Sequence, residues 1–185
     1  MASPNSTTLV LVGEEAPTLI GALGRFANVR AATLADATDD EVQQWISQTH
    51  APYVVHDHDP LGHVASAWVE FFDDLATLGT LDLEVDRALD SLDRGTMSMP
   101  DYYVILDTET LAPTWKHWWL GVLAEAAPTR IILGSEPTFS LARTLRRLPT
   151  GRSWPEPVSW LHRVARAVPD RVGIDRNEDE PPPQR

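Results

Sequence analysis

Short continuous runs of apolar and β-branched residues alternate along the chain with stretches in which apolar residues recur every three to four positions. The continuous runs are typical of strands buried on both faces, and they fall at Thr8–Val12, Val29–Leu34, Tyr53–Val55, Tyr102–Leu106 and Arg130–Leu133. The stretches between them predict helices. The strict alternation of strand signals with helix signals along the chain predicts a three-layer α/β domain, with a Rossmann-like or flavodoxin-like parallel sheet of about five strands and helices on both faces.

Local signals place several helix starts. Pro17 and Pro113 suit first helical turns, and Thr38 with Glu41 forms the Ser/Thr-x-x-Glu pattern of a capping box. We expect a single α/β domain over residues 1–172, because one hydrophobic core serves roughly 100–200 residues. Residues 173–185 are charged, proline-rich and nearly free of apolar groups, which predicts a disordered acidic tail.

Composition narrows the function classes. The formal net charge of −12 disfavours broad nucleic-acid binding, although seven arginines between Arg143 and Arg171 leave local phosphate contact open. The chain has no cysteine, so a metal would need His, Asp or Glu ligands. We found neither a secretory leader nor an apolar stretch of the ~20 residues that a membrane span needs. A cytoplasmic protein without membrane contact is therefore expected.

Ligands of parallel sheets bind beyond the carboxyl ends of the strands. After the first strand, Gly13-Glu14-Glu15 lacks the glycine-rich turn that cradles a dinucleotide, and no Gly-Lys-Ser/Thr sequence occurs. No nucleotide cofactor is therefore expected. After the fifth strand, Gly134 and Ser135 at a helix start could bind an anion through backbone amides, and helix capping by Ser135 is the alternative interpretation.

The sequence His56-Asp57-His58-Asp59 at the end of the third strand is the most unusual in the chain. In an extended strand its two histidines would point to one side and its two aspartates to the other. A strand order of 2-1-3-4-5 would gather Glu14 or Glu15, Asp57 or Asp59, and Asp107 or Glu109 at one edge as ligands for Mg²⁺ or Mn²⁺. His56, His58 and His63 would then serve as further ligands or general acids. Turn formation and helix capping are the alternative explanation.

The sequence around the end of the third strand resembles motifs of two protein families. Asp57-His58-Asp59-Pro60-Leu61-Gly62 is similar to the Asp-x-Asp-x-x-Gly element of toprim domains, and the resemblance implies that Glu14 or Glu15 completes an acidic trio binding Mg²⁺. The run from Val54 to Ala67 resembles the His-x-Asp-x-Asp-Gly element of DHH-type phosphoesterases, with Val104–Asp107 as the next acidic strand. Both resemblances imply metal-assisted phosphoester chemistry.

Two functional hypotheses follow. The first is a divalent-metal-dependent phosphoester hydrolase or nuclease-like enzyme. The second is a non-catalytic protein-interaction or regulatory module with a degenerate site. It is motivated by two departures from the DHH-type pattern: Leu61 stands where that pattern has an aspartate, and Gly134-Ser135-Glu136 stands where it has Asp-His-His. Trp115, Trp118 and Trp119 follow a helical spacing that suits a hydrophobic core or the face of a homodimer, and less often the stacking of a base or sugar. The sequence leaves open whether the protein is an enzyme.

Overall fold

Five parallel strands form one sheet in a computed structural model that describes residues 6–106, 108–134, 138–148 and 154–166. The strands are β1 Thr7–Val12, β2 Val29–Ala32, β3 Tyr53–His56, β4 Tyr102–Leu106 and β5 Ile131–Gly134. Each lies within two residues of its predicted position at either end. The predicted fold class, a parallel sheet between layers of helices, is confirmed.

The strand order is β2-β3-β1-β4-β5. It differs from the 2-1-3-4-5 order considered above, because β1 lies between β3 and β4 instead of beside β2. Pairing sets Val10 level with His56 on one side and with Tyr103 on the other. The connection from β1 to β2 leads towards the β2 edge of the sheet, whereas every later connection leads towards the β5 edge. The ends of β3, β1 and β4 nevertheless meet at one edge of the sheet.

Eight α-helices are present in the described ranges. They are α1 Ala16–Leu23, α2 Asp39–Ser47, α3 Gly62–Phe72, α4 Leu78–Arg94, α5 Pro113–Lys116, α6 Ala124–Ala126, α7 Thr138–Leu145 and α8 Pro157–Leu161. The predicted capping box at α2 is confirmed, since the Thr38 and Glu41 side chains each bond to the other residue's backbone N–H. The longest helix, α4, ends at Gly95 in the left-handed conformation that favours glycine.

The two faces of the sheet bury separate clusters. Val10, Tyr103 and Ile105 face α3, α4 and the segment between α5 and α6. Alternate residues, including Leu9, Leu11 and Val104, face α1 and α7. Because neighbouring strand residues point to opposite faces, the fully apolar β4 fills both clusters at once.

Two predicted helices differ in form. Between α5 and α6 the chain forms a π-helix, His117–Leu123, in which the adjacent Trp118 and Trp119 are both buried. The core interpretation of these tryptophans is therefore confirmed. The amphipathic spacing from Pro157 to Val168 predicts one last helix, but α8 ends at Leu161 and is followed by a 3₁₀ turn at Val164–Arg166. The predicted tail, residues 173–185, lies outside the described ranges, and no described helix has the length and apolarity to span a bilayer.

Gly13, directly after β1, adopts φ +128°, and a Cβ there would lie 3.0 Å from the Leu106 Cβ. We expect Gly13→Ala to destabilise the fold by about 1–3 kcal/mol, because this backbone conformation is nearly restricted to glycine. Gly21→Ala is the matched control, since open space surrounds that position in α1 and alanine in a helix is favoured by about 1 kcal/mol. Urea unfolding of both variants measures the contrast, and equal midpoints would contradict the expectation.

Candidate functional site

A cavity of about 640 Å³ opens at the carboxyl end of β3 and is called here the β3 pocket. Its wall combines the loop after β2, the loop after β3 and the starts of α2 and α3. Its lining residues are Ala35, Asp36, Ala37, Thr38, Asp39, Asp57, His58, Asp59, Pro60, Gly62, His63 and Ser66. The described part of the lining contains four carboxylates and two imidazoles but no lysine or arginine, so it favours cations or cation-bound ligands.

The predicted alternation of His56 to Asp59 does not hold beyond the strand. β3 ends at His56, and residues 57–59 belong to neither a strand nor a helix. As a result Asp57, His58 and Asp59 all line the β3 pocket, while His56 remains in the core. Termination of the strand thus brings both carboxylates and one imidazole to the same cavity.

Two of these side chains bond to neighbouring backbone. Asp57 Oδ1 accepts a hydrogen bond from the N–H of Leu34, which ties the loop after β3 to the loop after β2. Asp59 Oδ1 accepts from the N–H of Leu61 at 2.9 Å and from the Tyr103 hydroxyl at 2.8 Å. These bonds fix the two carboxylates in place without using their second oxygens.

The Asp59 carboxyl is enclosed enough to titrate near neutral pH. Burial raises its pKa from 3.8 to about 6, and the Asp39 charge adds to this shift. The hydrogen bonds from Tyr103 and Leu61 and the charge of His58 oppose it. Burial and the adjacent Asp59 also raise the pKa of Tyr103 well above its ordinary value, so its hydroxyl stays a donor. A carboxyl group with such a pKa in a cavity marks a candidate site for proton transfer or ligand binding.

His58 forms an imidazole–carboxylate pair. Its Nε2 lies 2.8 Å from Asp39 Oδ1, and the two side chains are 14% and 37% exposed. Asp39 is the first residue of α2. A carboxylate bonded to one ring nitrogen fixes the orientation of the ring. The pair therefore gives the β3 pocket an oriented acid–base group.

The start of α3 faces the same cavity. Gly62 and His63 line it, and His63 is exposed. No side chain caps this helix, and within the described ranges the N–H groups of His63 and Val64 have no acceptor. Free amides at a helix start attract anions. The acidic pocket thus also has a place for an anionic oxygen.

The other predicted residues lie apart or outside the described ranges. Glu14 is exposed in the turn after β1 and does not line the β3 pocket. Asp107 and Ser135 lie outside the described ranges, so their assigned roles stay predictions. Gly134 ends β5, where a Cβ would lie 2.6 Å from Val104 Cγ1. Close packing against β4 therefore explains why a glycine stands at this position.

Sequence reasoning missed three residues of this site. Asp39 was interpreted only as part of a capping sequence, Tyr103 only as a buried strand residue, and Asp36 not at all. Asp39 and Tyr103 reach the site through contacts with residues 19 and 44 positions away. Only the order of the strands brings those positions together, and no local pattern records it.

The arginine-bearing region lies elsewhere. A second cavity, of about 430 Å³, is lined by Arg163 and Arg166 together with Glu125 and Trp160. Local phosphate contact by the region from Arg143 to Arg171 stays a prediction.

Within the described ranges, no three His, Asp or Glu side chains are arranged to hold one metal ion. Comparison with other proteins adds no family assignment: no protein-family model matches the chain, and neither the curated proteins nor the solved structures gave a match.

Proposed function

We propose that the β3 pocket is the active site of a divalent-cation-dependent phosphoester hydrolase. The observation that carries the proposal is the convergence on one cavity of Asp57, Asp59, the His58–Asp39 pair and the uncapped start of α3. Carboxylates suit a hard cation, the imidazole pair suits proton transfer, and the free amides suit a phosphoryl oxygen.

The donor set fits a cation that arrives with its substrate. Mg²⁺ is usually held by one or two carboxylates together with substrate phosphates and water, so a preformed cage of three protein ligands is not required. Asp57 and Asp59 would hold the cation, which when bound supplies Lewis-acid polarisation of a phosphoryl oxygen. Protons compete for Asp59 below about pH 6, its raised pKa.

The remaining groups divide the other tasks. Asp39 orients the His58 ring at 2.8 Å, and His58 accepts or donates the proton that moves between water and the leaving-group oxygen. The N–H group of His63, which lines the β3 pocket, binds a phosphoryl oxygen. Because His63 is exposed at the pocket mouth, its imidazole is available to the substrate rather than to the fold.

The test is titration of Mn²⁺ and Mg²⁺ into metal-stripped protein, with and without Asp57→Asn and Asp59→Asn combined. Asparagine keeps the oxygen that accepts the backbone hydrogen bonds but removes both charges. We expect saturable binding that the double variant loses, and hydrolysis of bis(p-nitrophenyl) phosphate reduced by about 10²-fold or more, the scale typical of catalytic groups.

The matched control is Asp82→Asn combined with Asp86→Asn, which removes the same charge from the exposed face of α4. It should bind the cation and hydrolyse the ester like the unmodified protein. Equal affinity and hydrolysis in both double variants would contradict the proposal. Circular dichroism confirms that each variant is folded.

The second candidate is a non-catalytic module that binds a protein partner. It is favoured by the bonds of Asp57 and Asp59 to backbone N–H groups, because aspartates that only shape turns make the same contacts. Absence of cation binding in the unmodified protein would favour this candidate.

A further inference from the structure

His56 is buried directly behind the β3 pocket. It is the last residue of β3 and is 2% exposed, and the edge of its ring meets Trp45 with ring centroids 6.2 Å apart. Neither of its ring nitrogens has a hydrogen-bond partner among the described residues. Buried polar atoms are usually bonded, so both nitrogens call for an explanation.

A small cavity of about 10 Å³ adjoins the His56 ring. Thr8 and Ser98, two residues with hydroxyl side chains, are among its lining residues. Asp39, His58 and Pro60 line this cavity and the β3 pocket alike. The His58–Asp39 pair therefore forms the partition between the inner cavity and the open site, with His56 on the inner side.

The size and polarity of this cavity suit one water molecule. A buried water needs about 10–15 Å³ of such space and two to four polar partners. A neutral imidazole has one ring nitrogen that donates a hydrogen bond and one that accepts. A water molecule satisfies either.

We propose that His56 is a positioning residue, which holds the His58–Asp39 pair in place through one water molecule bound in the inner cavity. The inference rests on the proposed function, because the pair is the acid–base group of that reaction. His56 cannot touch the substrate itself, since the pair and Pro60 separate it from the β3 pocket.

The experiment compares His56→Phe with His56→Gln by NMR of the full chain without substrate. Phenylalanine keeps the ring shape and removes both nitrogens, whereas glutamine keeps a donor and an acceptor. Two quantities are measured: the solvent exchange rate of the His58 Nε2 proton, and the number of long-lived internal waters from water relaxation dispersion. Ile46→Val is the control, because Ile46 lines the inner cavity without a polar group.

In His56→Phe we expect proton exchange at least tenfold faster and one long-lived water fewer. His56→Gln should restore both, and Ile46→Val should leave the exchange rate unchanged. Exchange and water count equal to those of the unmodified protein would overturn the proposal. If His56→Phe does not fold, the unmodified protein decides: water contacts to the His56 ring protons support the proposal, and their absence overturns it.

The outcome separates this inference from the proposed function. The His58 proton is observed in resting protein, so a failed search for a phosphoester substrate leaves the measurement intact. If the substrate search succeeds, kcat of His56→Phe should fall at nearly constant KM, because the pair is disordered while the binding groups remain. An unchanged kcat would overturn the positioning role alone.

Discussion

The Asp59→Asn variant should gain about 2 kcal/mol of unfolding free energy relative to the unmodified protein as the pH rises from 4 to 7. Burial raises the pKa of Asp59 from 3.8 to about 6 in the folded protein. The folded form therefore keeps its proton at pH values where the unfolded chain has lost it, and ionisation weakens the fold progressively between these two values. Asparagine never ionises, so the variant escapes this loss. Urea unfolding at half-unit pH intervals measures the difference.

His56 contributes with the opposite sign over nearly the same pH range. Its pKa falls from 6.5 to about 4 on folding, so its contribution is complete above pH 6.5 and is lost as the pH falls towards 4. In the unmodified protein the two effects largely offset each other, whereas Asp59→Asn should expose a steep loss of stability on acidification. Parallel stability curves for the variant and the unmodified protein would contradict the raised pKa of Asp59.

Trp68→Ala should destabilise the protein by about 3–5 kcal/mol, the range for a large aromatic residue removed from a core. Trp68 is 2% exposed, and its ring centroid lies 4.4 Å from that of Phe72 and 5.7 Å from that of Trp118. Its Nε1 also donates a hydrogen bond of 2.8 Å to the carbonyl of Val164. One side chain thus joins α3 to the π-helix and to the 3₁₀ turn. Guanidinium unfolding followed by circular dichroism gives the loss.

Two variants separate the parts of this effect. Trp68→Phe retains most of the ring packing but removes the bond to Val164, so its loss should be smaller than that of the alanine variant. Leu75→Ala alters a side chain that is 78% exposed, and surface changes of this kind stay within about 0.5 kcal/mol. A loss for Trp68→Ala no larger than that for Leu75→Ala would show that this contact does not stabilise the core.

The sequence predicted those elements whose signals are local. Tyr102–Leu106 was predicted with both of its bounds, because a strand buried on both faces needs a continuous apolar run. The Thr38–Glu41 capping box was predicted because its two bonds span three residues. The weaker second strand was predicted to reach Leu34 but ends at Ala32.

The geometry of the site depended on contacts that no local pattern records. Asp57 and Asp59 were predicted as partners of Glu14 across the sheet edge. In the structure they line a cavity with Asp36 and Asp39 from the loop after β2 and the start of α2. The cause is twofold: β2 pairs with β3 rather than with β1, and β3 ends at His56, so that Asp57 and Asp59 lie in the loop that follows it. Neither fact follows from the order of residues along the chain.

The strand order also constrains how the protein emerges during its synthesis. Among the described residues, β1 pairs only with β3 and β4, and β2 pairs only with β3. No two strands of the sheet can therefore pair until Tyr53–His56 has left the ribosome. Until then the unpaired backbone groups of β1 and β2 must bond to water, or the two strands must be covered by their own helices or by a chaperone. The reason is that β3, the strand that lies between them, is the third to be made.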